Sequence, residues 1–211
     1  MGPKTERRQQ HGEESRRRIL DATVEIAAER GYEGTSIGLV SQRSGLPRSS
    51  IYWHFRDKDD LLAAVIERSY HLWRERLLGA EMTSDPRADR AGRLREMTAA
   101  VAASLLDQPE FLRLGMMLTL ERRPVEAKAR QLFVDIRDEV LAYAAGEFQE
   151  MLADAPAAER EAVARKLAAF TLAAADGLFL AYQLDPGSFD MRGQFEMLAV
   201  TIDAAWDRLT A

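Results

Sequence analysis

Apolar residues recur at intervals of three and four positions along most of the chain, and this spacing predicts α-helices. The first helix is expected over residues 14–30, with Gly31 just beyond its end as the residue that terminates it. No stretch of the sequence sustains the alternation with a period of two that marks half-buried strands. We therefore predict an all-α fold.

Two short helical segments follow close together. Thr35 or Ser36 is expected to cap the first of them, which runs to Ser44. Gly45 supplies a left-handed turn, and the second segment occupies residues 47–54, with a proline at its start. Two short helices joined by a turn that contains glycine are typical of a helix-turn-helix.

A longer helix is predicted from Lys58 to about Leu78, and it would span roughly 30 Å. Five further helices are predicted over residues 90–106, 109–121, 124–152, 157–184 and 191–209. The expected organisation is a disordered basic arm over residues 1–13, a helix-turn-helix domain over residues 14–57 and a second helical domain over residues 58–211. The long helix would link the two domains mechanically.

The segment LAAFTLAAADGLFLAYQL, residues 167–184, is apolar on nearly every side of a helix and needs cover all round. A membrane span is the alternative, since such a span needs about 17 to 25 apolar residues. Asp176 lies near the middle of the segment, where a charged residue costs at least about 2.5 kcal/mol in a bilayer. We therefore expect no membrane partner.

Charge is distributed unevenly along the chain. The 29 Lys and Arg residues and the 34 Asp and Glu residues give a net charge of −5. Residues 1–76 carry 14 basic and 12 acidic groups, a sum of +2, whereas residues 77–211 carry 15 and 22, a sum of −7. The N-terminal part would therefore attract nucleic-acid phosphates, and the remainder would repel them.

Several classes of chemistry are excluded or disfavoured by the residue types. The chain has no cysteine, which excludes disulfides, thiolate metal sites and cysteine nucleophiles. Its histidines, at positions 11, 54 and 71, show no HExxH spacing, and there is no glycine-rich phosphate loop. We expect no catalytic activity, no cofactor and no bound metal. The N-terminal sequence lacks the apolar core of a secretory signal, so a cytoplasmic location is expected.

Polar and basic side chains are expected to share one side of the second helix of the helix-turn-helix. Ile51 and Phe55 would face the core, whereas Arg48 has the geometry to donate two hydrogen bonds to guanine. Serine hydroxyls suit bases or phosphates, and longer polar side chains suit phosphates. The candidate DNA-binding residues are Thr35, Ser36, Arg48, Ser49, Ser50, Tyr52, His54 and Lys58.

These segments resemble the DNA-binding domain of the tetracycline-repressor (TetR) family of bacterial transcriptional regulators. The resemblance covers about 50 residues and rests on ERGYEGTSI at the end of the first helix and on SGLPRSSIYWHFRDKDDLL. Ser41, Ser44 and Pro47 depart from the residue types that the family commonly has there. The resemblance implies a repressor that a small lipophilic effector releases from a palindromic operator. The alternative is a helical protein-interaction module, or a regulator controlled by a protein partner.

The resemblance also implies a homodimer and an effector pocket in the second domain. Family members pair their last two helices with those of a second copy, and the expected contact residues here are Ala164, Ala168, Ala175, Ala181, Phe195, Leu198, Ile202 and Trp206. The candidate ligand-binding residues combine an apolar and aromatic lining with two charged anchors, and they are Trp73, Met97, Phe111, Met117, Phe133, Arg137, Phe170 and Asp176. Ordinary core packing is the competing explanation for most of them.

Overall fold

The structure is a computed structural model, and it describes residues 3–81, 87–121, 128–152 and 156–209. Within these ranges it contains nine α-helices and no strand, which confirms the all-α prediction. The helices are α1 Pro3–Gly34, α2 Ile37–Ser44, α3 Arg48–His54, α4 Lys58–Glu81, α5 Arg90–Asp107, α6 Glu110–Leu120, α7 Lys128–Met151, α8 Ala157–Leu184 and α9 Met191–Leu209.

Several helix ends fall where the sequence predicted them, whereas α4 ends at Glu81 and not near Leu78. Gly31 has φ 72° and ψ −175°, so the regular part of α1 ends at this glycine although one further turn follows it. The helices α8 and α9 have the predicted bounds, and α5 and α6 agree with the prediction to within a residue. The predicted start of α7 at Pro124 lies outside the described residues, and the described helix begins at Lys128.

The first helix is longer than the apolar pattern indicated. Residues 3–13, which we expected to form a disordered arm, continue α1 as a helix in the structure. This segment, PKTERRQQHGE, has no apolar stripe but consists largely of Lys, Arg, Gln and Glu, which have high helix propensity. An apolar periodicity alone therefore underestimates the length of α1.

Contacts divide the chain into two compact units. Unit 1 comprises residues 1–71 and 110–134, and unit 2 comprises residues 72–109 and 135–211. The helices α4 and α7 each begin in unit 1 and end in unit 2. The predicted domain boundaries at residues 13/14 and 57/58 remain predictions.

In unit 1, aromatic rings from α4, α6 and α7 pack in series. The ring of Phe111 lies between those of Tyr70 and Phe133, with 5.3 Å between centroids on each side. Phe133 approaches α6 so closely that a Cβ atom added to Gly115 would lie 2.0 Å from its ring. Gly115 is thus required by packing, because even one methyl group would displace a ring whose residue is only 5% exposed.

In unit 2, α9 packs against α5 and α8. Its large apolar residues face this interior and are at most 5% exposed, namely Phe195, Leu198, Ile202 and Trp206. The prediction that these four residues contact a second copy is therefore wrong. A helix of this kind has one wide apolar stripe, and here the stripe is already covered within the chain. Ala164 and Ala168 of α8 are fully buried in the same way.

Candidate nucleic-acid interface

The helix-turn-helix is built by local signals at its two helix ends. Ser36 has an extended backbone (φ −138°, ψ 152°), and its hydroxyl accepts a hydrogen bond from the backbone N–H of Leu39 at 3.3 Å. Gly45 then adopts the left-handed conformation (φ 68°) that ends α2. Pro47 precedes α3 as its N-cap and offers no side-chain hydrogen bond to it.

Two serines that depart from the family pattern stabilise the turn. The hydroxyl of Ser41 donates to the carbonyl oxygen of Leu46 at 2.7 Å. The Ser44 hydroxyl accepts from the backbone N–H of Leu46 at 3.3 Å. From α1, Nη2 of Arg18 donates to the carbonyl oxygen of Ser44 at 2.7 Å, which satisfies a carbonyl at the end of α2. Side chains of α1 and α2 therefore hold the turn that sets the direction of α3.

The two sides of α3 differ sharply. Ile51 is fully buried and Phe55, just past the helix, is 3% exposed. On the other side Arg48 and Ser49 are exposed, Ser50 is half-buried and Tyr52 is 56% exposed. These four predicted DNA-binding residues are therefore at least partly accessible to solvent, as is the exposed Ser36.

The side chain of Arg48 lies against the start of α2. A Cβ atom added to Gly38 would lie 2.8 Å from Nη2 of Arg48. Glycine is otherwise unfavourable inside a helix, by about 0.5 to 1 kcal/mol relative to alanine. Gly38 therefore allows the guanidinium to approach the backbone of α2 and keeps the long side chain close to the helix-turn-helix.

Two predicted DNA-binding residues are engaged within the protein. Thr35 is 1% exposed, and its hydroxyl donates to the carbonyl oxygen of Gly31 at 2.8 Å. Nζ of Lys58 donates to the carbonyl oxygen of Tyr32 at 3.2 Å and lies 4.1 Å from the centroid of the Tyr32 ring. Both side chains therefore stabilise the connection between Gly31 and α2, and Lys58, half-buried, also fixes the start of α4 to it.

His54 connects the end of α3 to α1. Its Nε2 lies 2.9 Å from the hydroxyl oxygen of Ser15, and that hydroxyl also donates to the carbonyl oxygen of Gly12 at 2.9 Å. Burial lowers the pKa of His54 below its usual value, and the positive charge of Arg16 lowers it further.

Trp53 is a prominent residue of this surface that was absent from the predicted set. It is 70% exposed, more than either Tyr52 or His54. Its ring stands beside α1, since a Cβ atom added to Gly12 would lie 3.7 Å from two of its carbon atoms. The helical spacing places Trp53 two positions after the buried Ile51, and this spacing is the signal that indicated its exposure.

The candidate ligand-binding residues are divided between the two units. Phe111, Met117 and Phe133 belong to unit 1, where the two phenylalanines form the aromatic series described above. The other five residues, Trp73, Met97, Arg137, Phe170 and Asp176, belong to unit 2. Trp73 is 7% exposed, whereas Phe170 is 44% exposed on α8.

Arg137 and Asp176 form an ion pair within unit 2. Nη2 of Arg137 lies 2.6 Å from Oδ2 of Asp176, and less than a third of either side chain is exposed. Burial raises the pKa of Asp176 above its usual value, and the Arg137 guanidinium opposes this rise. In the described ranges, no group of three or more His, Asp or Glu side chains is arranged to hold a metal ion.

Comparison with known proteins identifies relatives of the N-terminal region. The sequence profile of "Bacterial regulatory proteins, tetR family" matches residues 19–65. Over 60 residues the chain is 38% identical to the HTH-type transcriptional regulator AcrR of Shigella flexneri, an alignment that spans 28% of each protein. It is 26% identical to the HTH-type transcriptional regulator TtgR of Pseudomonas putida over 197 residues, which is 90% of each protein.

The fold is also similar to solved structures. A putative transcriptional regulator from Pseudomonas aeruginosa PAO1 superposes with a TM-score of 0.76 at 21% sequence identity, and covers 94% of this chain and 95% of its own. At this identity the likeness shows that the two chains share a fold.

The environment of His54 gives an expectation for the pH dependence of stability. Its pKa is lower in the folded state than the value of about 6.5 in an unfolded chain. As pH falls from about 7 to about 5, the unfolded state therefore binds a proton more readily, and the free energy of unfolding decreases. Asp57 and Asp60, whose pKa values are lowered, stay ionised in this window.

Between these pH values we expect the free energy of unfolding of His54→Gln to decrease less than that of the parent protein. The measurement is urea unfolding of the two proteins at several pH values in that window. His71→Gln, at an exposed position of α4, controls for the loss of a histidine as such. An unchanged pH dependence in His54→Gln would show that this imidazole does not resist protonation in the folded state.

Proposed function

Because residues 19–65 match the tetR family of bacterial regulatory proteins, we propose that the chain represses transcription as a homodimer on a palindromic operator until a small lipophilic effector releases it. The chain is a DNA-binding transcriptional regulator. The observation that carries the proposal is the exposed polar side of α3, opposite the buried Ile51. A regulator of this kind acts where the DNA is, in the bacterial cytoplasm.

The chemistry of α3 supports recognition of a major groove. An α-helix fits this groove, and Arg48 near the start of α3 is placed to donate two hydrogen bonds to a guanine. Ser36, Ser49 and Ser50 supply hydroxyls for phosphates or base edges, and Tyr52 supplies a further one. These assignments, with those of Thr35, His54 and Lys58, are proposals.

An apolar surface on α8 and α9 supports dimerisation. Phe170, Leu180 and Leu184 of α8 are 44, 49 and 79% exposed, and Met197 and Val200 of α9 are 62 and 59% exposed. Leu180 follows Phe170 by ten positions and Leu184 follows Leu180 by four, and this spacing places the three residues on one side of α8. Burying such residues against a second copy removes apolar area from water.

The length and composition of α8 have a second explanation. Residues 159–184 are long and apolar enough to cross a membrane, and 28% of the most apolar stretch is buried within the chain. The charged pair Arg137 and Asp176 on α7 and α8 is costly in hydrocarbon. A second protein copy explains the exposed apolar residues without that cost. A dimer also presents two recognition helices, which a palindrome requires at a spacing of about 34 Å.

The effector site is proposed in unit 2 around Arg137 and Asp176. Because the two opposite charges compensate each other, the pair offers no net charge to an incoming ligand. The surroundings predicted for it are apolar and aromatic, and they include Trp73 and Met97. We therefore propose an effector that is uncharged as well as lipophilic.

Hydrogen bonds join the first residues of α4 to the first residues of α7, and an effector could control DNA binding through this junction. Asp59 of α4 accepts hydrogen bonds from the backbone N–H groups of Lys128 at 2.7 Å and of Ala129 at 3.3 Å. Nζ of Lys128 donates to Oδ1 of Asp60 at 2.6 Å. Both helices continue from unit 1 into unit 2, so an effector that prefers a different position of either helix would shift the helix-turn-helix.

Replacing Arg48 tests DNA recognition. A duplex selected from a random pool by the parent protein serves as the operator, and a scrambled duplex of equal length serves as non-specific DNA. We expect Arg48→Ala to weaken operator binding by about 1 to 3 kcal/mol, roughly 5- to 150-fold, because a bidentate base contact is lost. Binding to the scrambled duplex should fall much less, and preference at one operator position should relax.

Arg192→Ala, an exposed arginine on α9, is the matched control and should bind both duplexes as the parent does. Gel shifts at fixed salt provide the measurement. If the parent selects no duplex at all, the chain is better explained as a helical protein-interaction module. If Arg48→Ala keeps full operator preference, the proposed recognition surface is wrong.

Replacing Leu180 tests the dimer. A charged side chain in the centre of an apolar interface is desolvated without a partner, so Leu180→Arg should yield monomers by sedimentation and lose operator binding. Leu120→Arg places the same charge at a position that is 78% exposed at the end of α6, and it should remain dimeric. A dimeric Leu180→Arg protein would place the interface elsewhere.

A change of charge in unit 2 tests the effector site. A medium-chain primary alcohol and the carboxylate of the same chain length are titrated into the operator complex. In the parent protein the alcohol should lower operator affinity, by about 5- to 150-fold at saturation, and the carboxylate should act more weakly. Asp176→Asn leaves Arg137 without its counter-charge, so the preference should move toward the carboxylate.

Glu161→Gln removes an exposed carboxylate from α8 and should respond as the parent does. If neither compound changes operator affinity in any of the three proteins, control by a protein partner is favoured over control by a lipophilic ligand. An Asp176→Asn protein with the parent's preference would place the effector away from this pair.

A further inference from the structure

Thr171 of α8 has a buried hydroxyl group that makes no hydrogen bond with the part of the chain that the structure describes. The residue is 7% exposed, and its Oγ1 atom is shielded from solvent. A hydroxyl in this position has given up its hydrogen bonds to water without replacing them, which costs free energy. Such a group is an exception, because buried polar groups in proteins are generally hydrogen-bonded.

Other threonines of this protein show the arrangement that Thr171 does not adopt. A helical threonine can donate its hydroxyl proton to the backbone carbonyl three or four residues earlier. Four residues of α1, α5, α6 and α9 donate in this way at 2.7 to 3.2 Å, and they are Thr23, Thr98, Thr119 and Thr201. The same bond from Thr171 would reach the carbonyl oxygen of Leu167 or Ala168, and it is not formed. The partner that Thr171 lacks is therefore a hydrogen-bond acceptor.

Small side chains flank Thr171 on its own side of α8. Ala164, Ala168 and Ala175 stand seven and three positions before it and four positions after it, which places all four residues on one side of the helix. The three alanines are buried as well. Their side chains end at Cβ, so longer side chains of α8 do not cover the hydroxyl on this side. A ligand that packs here meets a narrow apolar strip with one polar atom within it.

We propose that Thr171 is the hydrogen-bonding anchor of the effector site, where it donates to a neutral carbonyl oxygen on an otherwise lipophilic ligand. The inference rests on the proposed function, because it specifies the chemistry of the effector proposed for unit 2. The apolar body of the ligand packs against the alanine side chains, and its oxygen accepts the hydroxyl proton. A carbonyl oxygen suits this position because it accepts hydrogen bonds and has no proton of its own that would need a further partner.

The anchor differs chemically from the ion pair of Arg137 and Asp176. Asp176 follows Thr171 by five residues, which is about 7.5 Å along the axis of α8. The two charges of the pair already compensate each other at 2.6 Å, whereas the hydroxyl of Thr171 has no such match among the described residues. A ligand gains more by satisfying a buried group than by replacing one member of an existing pair. Thr171 is therefore the better contact for the oxygen of an uncharged effector.

The test compares two ligands in the parent protein and in Thr171→Val, which replaces the hydroxyl with a methyl group. Benzylacetone is a neutral lipophilic ketone, and isopentylbenzene has nearly the same shape with a methyl-bearing carbon in place of the carbonyl. In calorimetric titrations benzylacetone should bind Thr171→Val roughly 5- to 150-fold more weakly than it binds the parent, because its oxygen is then buried without a donor. Isopentylbenzene should bind both proteins equally.

Two further variants serve as controls. Thr171→Ser keeps the hydroxyl and should bind benzylacetone as the parent does. Thr23→Val removes a buried hydroxyl that donates to the carbonyl oxygen of Ile19 at 2.7 Å in unit 1, and it should leave both affinities unchanged. Thermal unfolding supplies a readout without ligand. Thr171→Val should raise the unfolding midpoint by about 2 to 4 °C because it removes an unsatisfied polar group, whereas Thr23→Val should lower it.

The outcomes separate this inference from the proposed function. If benzylacetone binds the parent and Thr171→Val equally, or does not bind the parent, the role of Thr171 is overturned. A lowered unfolding midpoint in Thr171→Val would show that the hydroxyl is satisfied without a ligand, and would also overturn it. If benzylacetone binds through Thr171 but leaves operator affinity unchanged in gel shifts at saturation, the ligand site stands and its control of DNA binding is overturned.

Discussion

The exposed side of α3 depends on the left-handed turn at Gly45. Gly45 has φ 68°, a backbone conformation that residues with a side chain rarely adopt. A Cβ atom added to it would lie 3.3 Å from Nη2 of Arg18. The same Arg18 nitrogen binds the carbonyl oxygen of Ser44. Because α1 thereby holds the end of α2, the direction in which α3 leaves the turn is fixed before any ligand arrives. A recognition helix that is already placed loses less conformational freedom on binding.

Local chemistry explains why the helix boundaries were predictable. The cap at Ser36, the glycine at position 45 and the proline at position 47 each act within a few residues of their own position. The prediction that the apolar residues of α9 contact a second copy failed because it depended on contacts far apart in the sequence. The apolar stripe of α9 shows that Phe195 and Trp206 need cover, but the spacing is identical whether the cover comes from α5 of the same chain or from a second copy. Only the tertiary structure distinguishes them.

Polar residues in the helix-turn-helix were harder to assign than apolar ones. A hydroxyl or an ammonium group suits a phosphate, but it also suits a backbone carbonyl, and sequence does not separate these uses. Thr35 binds the carbonyl of Gly31, and Lys58 binds that of Tyr32. The serines at positions 41 and 44 were recognisable as departures from the family pattern. Their role in the turn became visible only through their contacts with Leu46.

Three acidic residues follow α3 closely, and each of them is engaged by a cation or by backbone N–H groups. Asp57 accepts from the N–H of Asp60 at 2.8 Å and pairs with Arg56, which lowers its pKa. Asp59 accepts from the first N–H groups of α7. The pKa of Asp60 is lowered chiefly by its hydrogen bond with Lys128.

Each carboxylate therefore faces a helix N-terminus or a cation, and its field toward solvent is reduced. On the proposed mode of DNA binding, the contacts that join the start of α4 to the start of α7 therefore also weaken the repulsion of phosphates beside α3.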